Sequence, residues 1–127
     1  MKKVALMLGL ALAAMTPGIA QAAAEDVVVL GVPDGNLAAK ALVARDYDAA
    51  ARKLQAMWPD GANDAARLIN LGNAYAGMGR MTAAREAYRS ARFAPETTLA
   101  LADGSEESSR TIAQRALNRL NPSYAMR

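Results

Sequence analysis

The chain has 127 residues, with 15 Lys+Arg against 12 Asp+Glu, no Cys and no His. This length supports one domain with a modest core, and the missing residue types exclude the usual hydrolytic triads, zinc sites, thiol redox chemistry and disulfides. The formal charge of +3 would suggest anionic partners, but Lys2 and Lys3 lie at the extreme amino terminus.

Met1, Lys2 and Lys3 make a short positive start, residues 4–15 are an uncharged apolar run, and Thr16, Pro17 and Gly18 interrupt it before Ala20-Gln21-Ala22. This is the three-part layout of a secretory signal peptide, residues 1–22, and the apolar run falls short of the roughly 20 residues of a membrane span. Cleavage is expected after Ala22, with Ala24 as the second choice. No Cys follows, so the lipoprotein route is closed and the expected location is the periplasm. The mature chain keeps 105 residues (127 less 22), and losing Lys2 and Lys3 lowers the formal charge from +3 to +1. Arg80, Arg85, Arg89 and Arg92 make a partial helical stripe. They read as a solvated face, because a nucleic-acid footprint needs a clustered basic surface, ideally with stacking aromatics.

Residues 23–30 form an amino-terminal extended segment, and the β-branched run of residues 26–32 is strand-like. Beyond it the chain is rich in Ala, about a quarter of the mature sequence, which favours helix because Ala loses no side-chain entropy. A helical hairpin is predicted over residues 36–58. Leu37, Ala38, Ala41 and Leu42 belong to its first helix, Tyr47, Ala50, Leu54 and Met57 to its second, and Arg45 and Asp46 to the turn. Residues 59–64 are turn-rich, with Asn63 or Asp64 placed to cap the next helix. Their carboxylates lack the alternation of a calcium loop, and no metal or cofactor is assigned.

Leu68, Leu71, Ala74 and Tyr75 recur every three or four positions over residues 64–78, Gly77 and Gly79 end that helix, and Ala84, Ala87, Tyr88 and Ala91 continue the pattern over 81–93. This predicts a second hairpin. Residues 97–102 are extended and precede Asp103-Gly104, a favoured hairpin pair. They pair either with residues 26–32 or back through residues 105–108. Ile112, Ala113, Ala116, Leu117 and Leu120 lie opposite Arg110, Arg115 and Arg119, which predicts a helix over 109–120 capped by Ser108 or Ser109. Pro33, Pro59, Pro95 and Pro122 read as boundaries. Trp58 and Phe93 each end an amphipathic helix, which favours packing between hairpins over service as interface anchors.

An offset of 34 residues aligns Leu37 with Leu71, Ala38 with Gly72, Ala50 with Ala84 and Leu54 with Tyr88. The second unit, residues 65–98, closely resembles a tetratricopeptide repeat through Leu68, Leu71, Gly72, Tyr75, Gly79, Ala84, Tyr88 and Ala91. It departs from that pattern at Leu68, where the family often has Trp, and at Pro95, one residue early. The first unit, residues 31–64, is degenerate, with Ala41, Arg45 and Met57 in place of Tyr75, Gly79 and Ala91. The next offset falls on Glu106 and Asn118, so no third repeat follows. Two units need a cover, which the helix in residues 99–127 or a homodimer supplies. The expected fold class is all-α: two repeat-like hairpins and a capping helix, with a short β ribbon where the extended segments pair.

The resemblance implies protein interaction through a concave groove lined by the first helix of each pair. In the second unit that face carries Ala66, Ile69, Asn70, Asn73 and Ala76. Asn70 and Asn73 match positions where related repeats bond a ligand's backbone, and an amide offers donors and an acceptor. Ile69 stands where a carboxylate clamp would need Lys, which disfavours that mode of binding. The partner-binding residues are therefore Ile69, Asn70 and Asn73, and the partner is a peptide or protein. The carboxylate pairs Asp46/Asp48, Asp60/Asp64 and Glu106/Glu107 lie at turns or helix starts, where capping explains them, so an enzyme is not expected. The alternative is a structural or membrane-surface component of an envelope assembly, with no stable membrane span after signal cleavage.

Overall fold

The computed structural model describes residues 27–30, 37–57 and 61–121. The signal-peptide pattern, both cleavage positions, Asn36, Trp58, Pro33, Pro59 and Pro122 lie outside the described residues. Within them the chain is mostly helical: α1 Ala39–Val43, α2 Tyr47–Gln55, α3 Ala65–Gly77, α4 Met81–Phe93 and α5 Ser109–Arg119. Strands β1 Thr98–Ala100 and β2 Glu106–Ser108 form a two-stranded antiparallel sheet with Leu99 opposite Glu107. Residues 27–30 run along the free edge of β1 through an antiparallel bridge between Val29 and Leu101. Both pairings open to residues 97–102 in the sequence are thus realised at once, one on each side of β1.

Local chemistry sets the helix limits. Asp46 caps α2 by accepting from the Ala49 N–H, and Asp64 caps α3 by accepting from those of Ala66 and Arg67; such caps satisfy donors that a helix start leaves free. Ser108 caps α5 by accepting from the Arg110 N–H. The turns after α1 and α3 carry matching bonds. Arg45 donates to the Leu42 carbonyl and Asp46 to that of Ala41, while Gly79 donates to Ala76 and Arg80 to Tyr75. This is the closure in which the first residue past the cap turns left-handed, with φ 63° at Arg45 and 80° at Gly79. The two turns are 34 residues apart (79 less 45), the offset found in the sequence.

The first helix is shorter than the sequence predicts. Leu37 and Ala38 are buried, but they precede α1 with φ of 22° and 58° and are not helical. Their three- and four-residue spacing to Ala41 and Leu42 records burial, and no capping side chain at Ala38 starts the helix earlier. Met57 falls beyond α2 and is exposed.

Helix α3 is the centre of the molecule: every residue from Ala65 to Ala74 is buried. Helix α4 packs along one side of it, α2 along another, and α5 covers α4 and part of α3. The approach of α4 depends on Gly72, where an added Cβ would lie 2.5 Å from a Tyr88 ring carbon. At the other end of α3 the Tyr47 ring of α2 leaves no room for a Cβ on Gly77. Arg67 joins the two hairpins from inside. It is buried, with Nε donating to the Leu54 carbonyl (2.8 Å) and a terminal nitrogen to that of Gly61 (3.2 Å). Phe93 departs from expectation. It is 74% exposed, with the Arg92 guanidinium over its ring and no hairpin against it, because α5 covers the opposite side of α4 where Ala84, Tyr88, Ala116 and Leu117 are buried together. Among the described residues no helix is long and apolar enough to cross a membrane.

Candidate functional site

On α3, Ala66, Ile69, Asn70 and Asn73 share one face by helical spacing. The sequence leads one to expect an open groove there. The structure instead lays residues 27–30 over it, leaving Ile69 and Asn70 with no exposure and Asn73 with 1%. The two amides face the chain's own backbone and are not presented to solvent.

Their hydrogen bonds are specific in geometry and indifferent to sequence. Asn70 Oδ1 accepts from the Val29 N–H at 2.9 Å, and its Nδ2 donates to the Val29 carbonyl at 2.7 Å. One side-chain amide thus pairs with both polar groups of one peptide residue, as a neighbouring strand would. The same Nδ2 donates to the Leu37 carbonyl at 2.9 Å. Asn73 Nδ2 donates to the Val27 carbonyl at 3.0 Å and to Asn70 Oδ1 at 3.3 Å. Its Oδ1 accepts from the Tyr88 hydroxyl at 2.6 Å, so the tyrosine packed on Gly72 also orients the second amide.

The opposite edge of the segment faces β1. Leu30 N–H donates to the Ala100 carbonyl and Ala102 N–H to that of Val28, each at 2.9 Å. Backbone groups of successive strand residues point to alternate edges, so Val29 turns its pair toward Asn70 while Val28 and Leu30 turn theirs toward β1. Residues 27–30 thus carry hydrogen bonds on both edges, and Val29 is completely buried.

A cavity of about 390 Å³ opens beside the segment. Val27, Val28, Leu42, Val43 and Tyr47 supply its apolar wall; Arg45, Asp103, Ser105 and the Glu107–Arg115 pair supply polar groups. Arg115 meets both carboxylate oxygens of Glu107 at 3.0 Å. The hydrogen bond to Glu107 holds the Arg115 guanidinium protonated above its ordinary range, with the attraction between the charges adding to it. The pair is partly exposed, where solvent screening keeps such a bridge weak. At the hairpin tip the Asp103 carboxylate accepts from the Ser105 hydroxyl and N–H, which hold its pKa below the usual aspartate value. Further hydrogen bonds tie the sheet to α5: Ser109 Oγ accepts from the Thr97 N–H, and the Ser108 hydroxyl donates to Glu96.

Three contacts were not legible in the sequence: the covering segment, the Tyr88 hydroxyl on Asn73, and the Arg67 bonds to the Leu54 and Gly61 carbonyls. The run Val27-Val28-Val29 was the available signal for the first, because a short strand must find partners for both edges. The arginines read as a stripe have separate surroundings. Arg80 lies over the Tyr75 ring at 5.1 Å, and Arg85 reaches the Leu120 carbonyl and Asn121. Among the described residues no three or more acidic side chains gather as a metal site would require. No protein-family model, curated protein or solved structure matches this chain.

Proposed function

We propose that this chain is an exported, non-enzymatic interaction adaptor of tetratricopeptide type, which holds an extended segment of a peptide or partner protein by its backbone along α3. The observation that carries the reading is the pairing of the Asn70 amide with both backbone groups of Val29. A face that already grips one extended chain without reading its side chains has the chemistry to grip another. The close contact of Gly72 with Tyr88 and the matching turns at Arg45 and Gly79 support the repeat assignment. Location in the cell envelope rests on the pattern of residues 1–22.

A partner segment would take the place of residues 27–30, with its side chains entering the neighbouring cavity. Crosslinking in intact cells followed by pull-down from envelope extract tests this. The expected result is a stoichiometric protein partner whose crosslinks map to Val43, Tyr47 and Asp103 around the cavity. Co-sedimentation of the mature chain with membranes, without such a partner, would refute the adaptor and favour a structural or membrane-surface component.

A further inference from the structure

The cavity of about 390 Å³ beside the docked segment has the volume of a small-molecule site. One wall is apolar, made by Val27, Val28, Leu42 and Val43, and Val43 is still 65% exposed. Four charged side chains also line it, and they differ in what they already hold. Glu107 and Arg115 neutralise each other through two contacts of 3.0 Å. Arg45 and Asp103 pair neither with each other nor with any opposite charge among the described residues. Asp103 is bonded to Ser105 through Oδ1 alone, which accepts both the hydroxyl and the N–H, so its Oδ2 is open to another donor. The same bonds favour the ionised carboxyl. Arg45 stands out for a second reason. Its φ is 63°, a conformation that suits glycine, and the matching turn carries Gly79. Glycine would serve the turn alone; arginine adds a guanidinium at the cavity.

We propose that this cavity binds a small zwitterion with an apolar body, an apolar α-amino acid in its simplest form. Arg45 receives the carboxylate, Asp103 the ammonium group, and the ligand's side chain lies against Val28, Leu42 and Val43. The charge left uncompensated at the cavity is one positive and one negative, so a ligand must carry both signs to satisfy both. A carboxylate alone would leave Asp103 without a partner and place a like charge near it, and an ammonium alone would do the same at Arg45. A guanidinium offers a carboxylate a fork of donors, and the open Oδ2 of Asp103 can accept from an ammonium. Val27 and Val28 belong to the wall, so the ligand binds with residues 27–30 in place. The site therefore stands whether or not α3 takes an outside chain.

NMR titration of the isotope-labelled protein with L-leucine tests this. Three comparators each lack one feature: isocaproate has no ammonium, isoamylamine no carboxylate, and glycine no apolar body. L-leucine should give saturable shifts at the Val28, Val43 and Ser105 amides, with each comparator weaker by about tenfold or more, the scale of a lost charged hydrogen bond. Arg45→Gly and Asp103→Asn should each weaken L-leucine by about tenfold or more, with the fold intact by circular dichroism, and Lys53→Gln on the exposed side of α2 should leave it unchanged. Arg45→Gly is the cleaner variant because glycine suits the φ of that turn. No saturable shift up to about 20 mM L-leucine, beyond a millimolar Kd, overturns the site. Isocaproate binding as tightly as L-leucine removes Asp103 and the zwitterion with it, and glycine binding as tightly removes the apolar wall. Unchanged affinity in Arg45→Gly overturns the assignment of the carboxylate to Arg45 and with it the proposal.

Discussion

Replacing Asn70 by Ala removes the side chain on which both the fold of residues 27–30 and the candidate site depend. The variant strips partners from the Val29 N–H, the Val29 carbonyl and the Leu37 carbonyl at once. Val29 has no exposure, so its two groups cannot turn to water while the segment stays docked. Leaving a buried polar group unpaired costs about 1–3 kcal/mol, which sets the strain of the docked state at about 2–6 kcal/mol for the Val29 pair alone. Against a total stability of about 5–15 kcal/mol for a domain, the cheaper response is to release the segment and keep the helices. Hydrogen exchange should therefore show loss of protection at the Val29, Leu30 and Ala102 amides, by about 30-fold for a 2 kcal/mol change, with α4 and α5 less affected. Asn70→Asp sharpens the test because it is nearly isosteric. Its carboxylate would face two carbonyl oxygens, which favours the protonated form and raises its folded pKa above the unfolded value near 3.9. The folded state then holds a proton that the unfolded state has lost, so stability falls as pH rises from about 4 toward the folded pKa and levels off above it. Urea midpoints of the variant relative to the parent chain, measured across that range, read the slope. Unchanged amide protection in Asn70→Ala, together with no added pH slope in Asn70→Asp, would refute the assignment of Asn70 as the clasp.

Gly72→Leu should destabilise by about 1–3 kcal/mol or more through overpacking, since even a Cβ there meets the buried Tyr88 ring at 2.5 Å; an unchanged thermal midpoint would remove the close-approach argument. Arg45→Gly should stabilise by about 1 kcal/mol, because φ of 63° penalises a side chain, and a chemical denaturation midpoint no higher than the parent's would count against it. Ala38→Gly, at φ 58°, should likewise raise the midpoint, and a lowered one would show that this turn is unstrained. The Asp103 carboxyl should titrate below the ordinary aspartate range because Ser105 bonds its charged form, so its contribution is present above the unfolded pKa and is lost as pH falls through the folded one. In Ser105→Ala the midpoint seen by NMR should move upward, and a static midpoint would exclude Ser105 as the cause.

Helices α3, α4 and α5 were legible because their information is local: apolar residues at three- and four-residue spacing, Asp64 and Ser108 at the starts, and Gly79 just past an end. The same reasoning placed the turn at Arg45 and Asp46. It overextended the first helix, because Leu37 and Ala38 are buried for a different reason, namely that Asn70 fastens the Leu37 carbonyl. It misplaced Phe93, because amphipathicity reports that a helix has a covered side but not where the covering layer stops. Helical spacing puts Ile69, Asn70 and Asn73 on one face, but the open groove expected there is covered from 41 residues away by Val29, and Asn73 also meets Tyr88 of α4. Periodicity carries no information about contacts of that range. The buried Arg67 was illegible for a related reason: its acceptors are backbone carbonyls, which leave no mark on the sequence.

The occupied face also bounds how an outside partner can bind. Any extended chain that uses Asn70 and Asn73 must first meet a site filled by residues 27–30, so its apparent affinity equals the intrinsic affinity multiplied by the fraction of molecules in which the segment is out. The backbone bonds on both edges and the burial of Val29 hold the segment in and so set that fraction. Asn70→Ala frees the face but also removes the group that would grip the incoming chain, so an open site and a lost affinity should appear together. A variant that weakens docking from the segment's own side, Val29→Ala, separates the two: it should expose the face with its amides intact and raise the affinity for an extended peptide. If Val29→Ala releases the segment and peptide affinity still does not rise, the face does not serve as the adaptor's binding surface.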